Sequence, residues 1–205
     1  MHKVVVLDFE TTGLSPQQGD RAIEIGAVLI EGERVVDRFQ SLMNPGFRLN
    51  SFIENYTGIS NRMVAAAPPC AEVMAGFADF IGDYPLVAHN ASFDLKFLDA
   101  ELARINRAGT RRIACSMLAA RRVYPKAPNH QLGTLVRYCG LANDGTFHRA
   151  LADAQMTGHL WLAMIAELKG RFGLNRVSFE LMQNLTRISK AQAPTYLRKV
   201  AGDQG

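Results

Sequence analysis

Residues 3–10, KVVVLDFE, constrain this chain more than any other stretch. Three consecutive valines and a leucine read as a strand covered on both faces. The run nevertheless ends on two carboxylates, Asp8 and Glu10, with only Phe9 between them. Side chains two apart along a strand leave the same face, so both acids enter one small volume at the end of a central strand. Like charges held that close raise each other's pKa, and burial raises it further, unless a cation compensates them. An isolated acidic pair can also splay into water. The pair therefore gains meaning only if other acids and histidines reach the same point.

The elements that follow predict how that could happen. Residues 22–31 and 34–42 read as two more strands joined by a tight turn at Gly32, which makes an antiparallel start. Helical patterns cover 51–57 and about 71–81, and PLVAHN, residues 85–90, reads as a fourth strand. Residues 92–107 form a helix with Ser92 at its N-cap and Leu95, Leu98, Leu102 and Ile105 on its apolar face. RRIACSM, residues 111–117, is a fifth strand, and helices are expected at about 116–123, 131–139 and 149–168. Three antiparallel strands followed by strands alternating with helices predict an α/β fold, a mixed five-stranded sheet flanked by helices.

Composition excludes several classes. The longest apolar runs fall well short of a bilayer span and the N-terminus carries no signal-peptide pattern, so the expectation is a cytoplasmic protein without a membrane partner. Cys70, Cys115 and Cys139 are widely spaced and lack a CxxC pair, which argues against disulfides and zinc; they read as buried thiols. The net charge of +4 is uneven: residues 1–169 hold 17 basic and 17 acidic side chains, residues 170–205 hold 6 and 2. A basic tail suits a polyanionic partner or is simply solvated. Within it, Leu181, Met182, Leu185 and Ile188 are spaced as one helix face, and Pro194 interrupts the chain beyond. That face could pack on its own domain, dock on a polymerase or a second copy, or touch nucleic acid.

Two further segments carry acids in the right context. In HNASFD, residues 89–94, the fourth strand ends and Asp94 falls in the first turn of the next helix, where open α/β sheets keep their sites; a first-turn acid is also favoured by the helix dipole alone. In HRALAD, His148 and Asp153 would lie about 140° apart on a continuous helix. His148 therefore belongs on the loop announced by NDGT, residues 143–146, while Asp153 faces inward beside Ala150, Ala152 and Ala154, small enough to bring the helix close to the sheet.

DFETTG, HNASFD and HRALAD, in this order and context, resemble the DEDDh class of 3′ to 5′ exonucleases, the family of the proofreading epsilon subunit of bacterial DNA polymerase III. The resemblance covers about residues 3–168. It implies a ribonuclease H-like fold with residues 1–169 as the nuclease domain; residues 170–205, outside the resemblance, read as a basic helical extension. It also implies that Asp8, Glu10, Asp94 and Asp153 hold two divalent cations, Mg²⁺ or Mn²⁺. Asp8 would bridge them, Glu10 and Asp153 would serve the tighter site, and Asp94 would act largely through water. His148 would be the general base, and nucleoside 5′-monophosphates the products.

Thr11, Thr12, Gly13 and Leu14 match the segment that cradles the terminal nucleotide, and Asn90 and Phe93 line the same pocket. Leu14 and Phe93 are candidates to pack on a base. Thr57 stands where the proofreading subunit has histidine, and Ser116-Met117 replaces a frequent Asp-Thr; both departures bear on substrate choice. The implied substrate is a single-stranded or frayed 3′ end of DNA, in replication or repair. An RNA-trimming exonuclease of the same family is the alternative, and a binding module without hydrolysis is a third reading.

Overall fold

The computed structural model describes residues 3–107, 112–142 and 149–204. Strand β1 (Lys3–Thr11) lies at the centre of a five-stranded sheet, with β2 (Ala22–Glu31) and β3 (Arg34–Leu42) on one side and β4 (Leu86–Ala88) and β5 (Ile113–Cys115) on the other. The pairs β1–β2 and β2–β3 are antiparallel, while β1–β4 and β4–β5 are parallel. Gly32, at φ +65°, makes the tight β2–β3 turn, a backbone region that costs glycine little. The mixed sheet expected from the sequence is present.

Both faces of β1 are covered, which is why its apolar run is unbroken. Val4 and Val6, with Val28 and Ile30 of β2, face the long helix α7 (Ala150–Phe172) and its Trp161 and Met164. Val5, Leu7 and Phe9, with Ile25 and Ala27, face α3 (Cys70–Ile81) and α4 (Ala91–Arg104). Between β3 and α3 lie α1 (Ser51–Thr57) and α2 (Asn61–Ala66). They close a smaller cluster of Ile23, Leu49, Ile53, Ile59 and Val64. Nothing in the sequence pattern announces α2, because six residues are too few to display a helical period.

Several boundaries differ from expectation. The fourth and fifth strands are three residues each, and His89 and Asn90 form a turn. Helix α4 starts at Ala91, and its N-cap is Asn90 in a left-handed conformation (φ +72°), not Ser92. Cys70 is buried, but Cys115 and Cys139 are only half-buried. Helices α5 (Ser116–Val123) and α6 (Leu132–Tyr138) fall where the pattern placed them.

Helix α7 runs on to Phe172 and is followed by α8 (Phe179–Arg187) and α9 (Ala193–Gly202). Pro194 lies in the first turn of α9, so it opens a helix where the sequence suggested an interruption. Leu181, Met182 and Leu185 join the core on the α7 side of the sheet; this face is packed on its own chain and is not available for docking. Gln183 Nε2 donates to the Ile113 carbonyl at 2.8 Å, so α8 covers the open edge of β5. Among the described residues no helix is long and apolar enough to cross a membrane.

Candidate active site

Asp8 and Glu10 do leave the same face of β1, the face that packs on α7. Asp8 pairs across the sheet with Gly26 and Glu10 with Glu24. A Cβ built on Gly26 would stand 2.1 Å from Leu151 N and 2.2 Å from the carbonyl carbon of Ala150. The missing side chain thus seats the first turn of α7 directly on the sheet. Asp153 lies in that turn, and one carboxylate oxygen each from Asp8, Glu10 and Asp153 fall within 4.8 Å of one another.

Asp94 arrives from the opposite layer. The short β4 ends at Ala88, beyond which β1 has no strand partner on that side. There the buried Asp94 carboxylate accepts from the Phe9 N–H at 3.2 Å. All four acids singled out in the sequence are therefore assembled around the end of β1, three by side-chain convergence and the fourth by a bond to the strand backbone. His148 and the loop 143–148 lie outside the described residues.

The electrostatics are those of a site built for cations. Glu10 is pushed up to about 8, first by burial and then by Asp153, Glu24 and Asp94, with Arg149 opposing. Burial lifts Asp94 to about 7, against the lowering effect of the N–H groups of Phe9 and of its own backbone. Asp8 is raised well above the usual carboxylate range by burial, then by Asp94, Asp153, Glu10 and Glu24. An all-oxygen set of crowded carboxylates fits hard divalent ions such as Mg²⁺ and Mn²⁺. Asp8, Glu10 and Asp153 could ligate directly, with Asp94 beside them.

The segment that leaves β1 is tightly bonded to itself. Thr11 Oγ1 donates to the Gly13 carbonyl at 2.7 Å. The Asp20 carboxylate gathers Thr12 Oγ1 at 3.3 Å and Ser15 N at 2.9 Å. A Cβ at Gly13 would meet that carboxylate at 2.4 Å, so any larger residue there would push the Asp20 carboxylate off its present bonds. Leu14 projects into solvent, 75% exposed, which removes it from the core. The Lys96 ammonium donates to the Leu14 carbonyl and lies 5.0 Å from the centre of the half-buried Phe93 ring. Asn90 is exposed. Thr57 is turned inward, its hydroxyl donating to Ile53 O and accepting from Ile59 N.

Ser116, at the position that departs from the family pattern, is buried against His89. Burial lowers His89 to about 4, so its ring is neutral near pH 7. Nε2–H must then donate to the His130 carbonyl at 2.9 Å, leaving Nδ1 to accept from the Ser116 hydroxyl at 2.9 Å. His89 is a strut between β4 and α5. A separate cavity of about 1080 Å³, lined by Val4, Ile30, Trp161 and Met182 among others, opens at the opposite end of β1 and contains none of the four acids.

Residues that the sequence did not reveal include Glu24, Gly26, Arg149 and the Arg21–Glu101 pair. Arg21 grips the buried Glu101 of α4 through Nε at 2.8 Å and Nη2 at 2.9 Å, tying the helix that carries Asp94 to the start of β2. The prior signals were an acid inside each of two apolar patterns, at Glu24 and Glu101, and a lone glycine inside a strand pattern, at Gly26.

The sequence profile of a family described as exonuclease, RNase T type, matches residues 5–160. The chain is 39% identical over 165 residues to a DNA polymerase III of the PolC type from Oceanobacillus iheyensis, a match that spans 80% of this chain and 11% of that protein. It is 34% identical over 192 residues to the 3′-5′ exonuclease DinG of Bacillus subtilis, spanning 92% of this chain and 20% of that protein. Among solved structures, exonuclease X in complex with 5′ overhanging duplex DNA superposes with a TM-score of 0.69 at 25% identity, covering 91% of this chain and 99% of that one.

Proposed function

Because the chain belongs to the DEDDh family of 3′–5′ exonucleases, we propose that it removes nucleotides from single-stranded or frayed 3′ ends of DNA, releasing nucleoside 5′-monophosphates. The convergence of Asp8, Glu10 and Asp153 within 4.8 Å carries this reading. The preference for DNA draws on the PolC-type polymerases among its relatives and on the DNA complex of exonuclease X. Residues 1–169 would form the nuclease and 170–205 an extension packed upon it.

In this reading Asp8, Glu10, Asp94 and Asp153 hold two divalent cations. When bound, those ions stabilise the attacking and leaving oxygens of an in-line displacement at phosphorus. The chain supplies the rest. The tight turn 11–15, with Leu14 free in solvent and Phe93 across the Lys96 bridge, offers apolar surface to a terminal base, a contact that tolerates many sequences. Asn90, which caps the helix carrying Phe93, and Thr57, whose hydroxyl is engaged by Ile53 and Ile59, would contribute surface to the same pocket. His148 takes the proton of the attacking water on an imidazole nitrogen, a role suited to a group titrating near neutrality.

Incubation with 5′-labelled single-stranded DNA and RNA of one sequence, with Mn²⁺ or with EDTA, tests the activity. Stepwise shortening of DNA that requires the metal is expected. Faster shortening of RNA would select the RNA-trimming alternative, and intact strands in Mn²⁺ would leave only a binding module. The base has its own test. His148→Ala should slow hydrolysis by about 10²- to 10⁴-fold while calorimetric Mn²⁺ affinity stays at the wild-type value. Loss of affinity together with rate would make His148 a ligand, and retention of most of the activity would remove it from the mechanism.

A further inference from the structure

We propose that Glu24 and Arg149 form a clamp whose function is to aim Asp153 at Asp8 and Glu10. The inference rests on the reading of those acids as a cation site.

Glu24 lies directly across β1–β2 from Glu10 and is 0% exposed. Like charges opposite each other in a sheet are destabilising, and a buried carboxylate is costly unless paired and fully bonded. Glu24 meets that condition in full. Its Oε1 accepts from Gln40 Nε2 at 3.0 Å and Arg149 Nη2 at 2.9 Å; its Oε2 accepts from Arg149 Nε at 3.1 Å and the Ala150 N–H at 3.1 Å. With two donors on each oxygen, Glu24 has no acceptor capacity left for a cation. Proximity alone would have made it a fifth ligand; its bonds make it a support.

What it supports is the start of α7. Arg149 is the N-cap residue of that helix, and its side chain caps nothing within it. One of the orphan N–H groups of the first turn, that of Ala150, is capped instead by Glu24 from another strand. The Arg149 fork fixes the rotation of the turn, because a two-bond planar contact resists twisting as a single bond does not. The Arg149 carbonyl in turn accepts from the Asp153 N–H at 3.0 Å. The linkage runs from Glu24 through Arg149 to Asp153, and a slip of one residue would swing Asp153 by about 100° away from its partners.

Three variants separate positioning from charge and from packing: Glu24→Gln, Arg149→Met and Arg149→Lys. Each is titrated with Mn²⁺ by calorimetry well below its own melting temperature. Positioning predicts that all three lose affinity, by about 10- to 100-fold as is usual for outer-shell partners of a metal site. Arg149→Lys should resemble Arg149→Met, since a lysine keeps the charge but not the fork. If the pair merely tuned local charge, Arg149→Met would bind Mn²⁺ more tightly than wild type, and the clamp would be refuted. Lower melting temperatures with unchanged affinity would reduce the pair to packing and also refute it. A wild-type protein that binds no Mn²⁺ would overturn the cation-site reading itself, and the clamp with it.

Discussion

Asp8→Asn is expected to abolish Mn²⁺ binding and hydrolysis together, and at pH 8 to raise the melting temperature of the metal-free protein. Both results follow from one cause. Asp8 is raised by burial first and then by four other carboxylates, so without cations its charge is a liability to the fold. The same holds for Glu10 at about 8 and Asp94 at about 7, against unfolded values of about 4.3 and 3.9. The folded state therefore holds more protons than the unfolded state between those limits, and stability present below about pH 4 is lost as pH rises through 7 and 8.

His89 acts in the opposite sense. Its folded value of about 4 is depressed, so it costs stability only below its unfolded value of about 6.5. Melting curves from pH 6.5 to 8.5 exclude the His89 contribution and span the Glu10 and Asp94 values, while the raised thiols of Cys70 and Cys139 contribute equally to wild type and variant. Metal-free wild type should lose stability across that window, and Asp8→Asn should lose less, gaining about 2–4 °C for each kcal/mol of repulsion relieved. Saturating Mn²⁺ should replace the bound protons and reverse the slope for wild type only. A variant that still binds Mn²⁺, or parallel metal-free curves for the two proteins, would contradict the assembled site.

That site was legible in the sequence to the extent that local rules place its parts. Alternation along β1 aims Asp8 and Glu10 together, and a helix start after β4 places Asp94. The hairpin 22–42 is marked by Gly32 between two β-branched runs. Long-range register was not legible. That Glu24 faces Glu10 depends on the β1–β2 pairing, and its bonds to Arg149 join residues 125 apart. No local pattern encodes either. The cap of α4 differs from the sequence expectation for a local reason: Ser92 has the favoured side chain, but the turn out of β4 needs a left-handed residue, and Asn90 tolerates that conformation. The close approach of α7 was expected from its alanines. Ala150 and Ala154 are indeed buried, but the decisive gap is on the strand, where a lone glycine is itself a sign that another backbone comes near.

Gly26→Ala should therefore be severely damaging for a one-carbon change. The added Cβ would lie 2.1–2.4 Å from Leu151 N, Ala150 C and Leu151 Cα. These are backbone atoms of a helix, not the free end of a side chain, so relief requires α7 to move by about 1 Å or more to restore ordinary carbon contacts. The helix is held on both sides of the intrusion, by Glu24 at its first turn and by the packing of Trp161 and Met164 further along. The expected loss is about 3 kcal/mol or more, at the severe end for overpacking, with Mn²⁺ affinity falling as Asp153 is displaced. Gly158→Ala on the same helix is the control. Its Cβ would meet only side chains, Ile30 Cδ1 at 3.2 Å and Val28 Cγ2 at 3.5 Å, and alanine favours a helix interior over glycine by about 1 kcal/mol. That variant should keep wild-type Mn²⁺ affinity and nearly wild-type stability. If the two substitutions prove equally mild, α7 does not rest on β2 at Gly26, and the route by which Asp153 reaches Asp8 and Glu10 is not the one described.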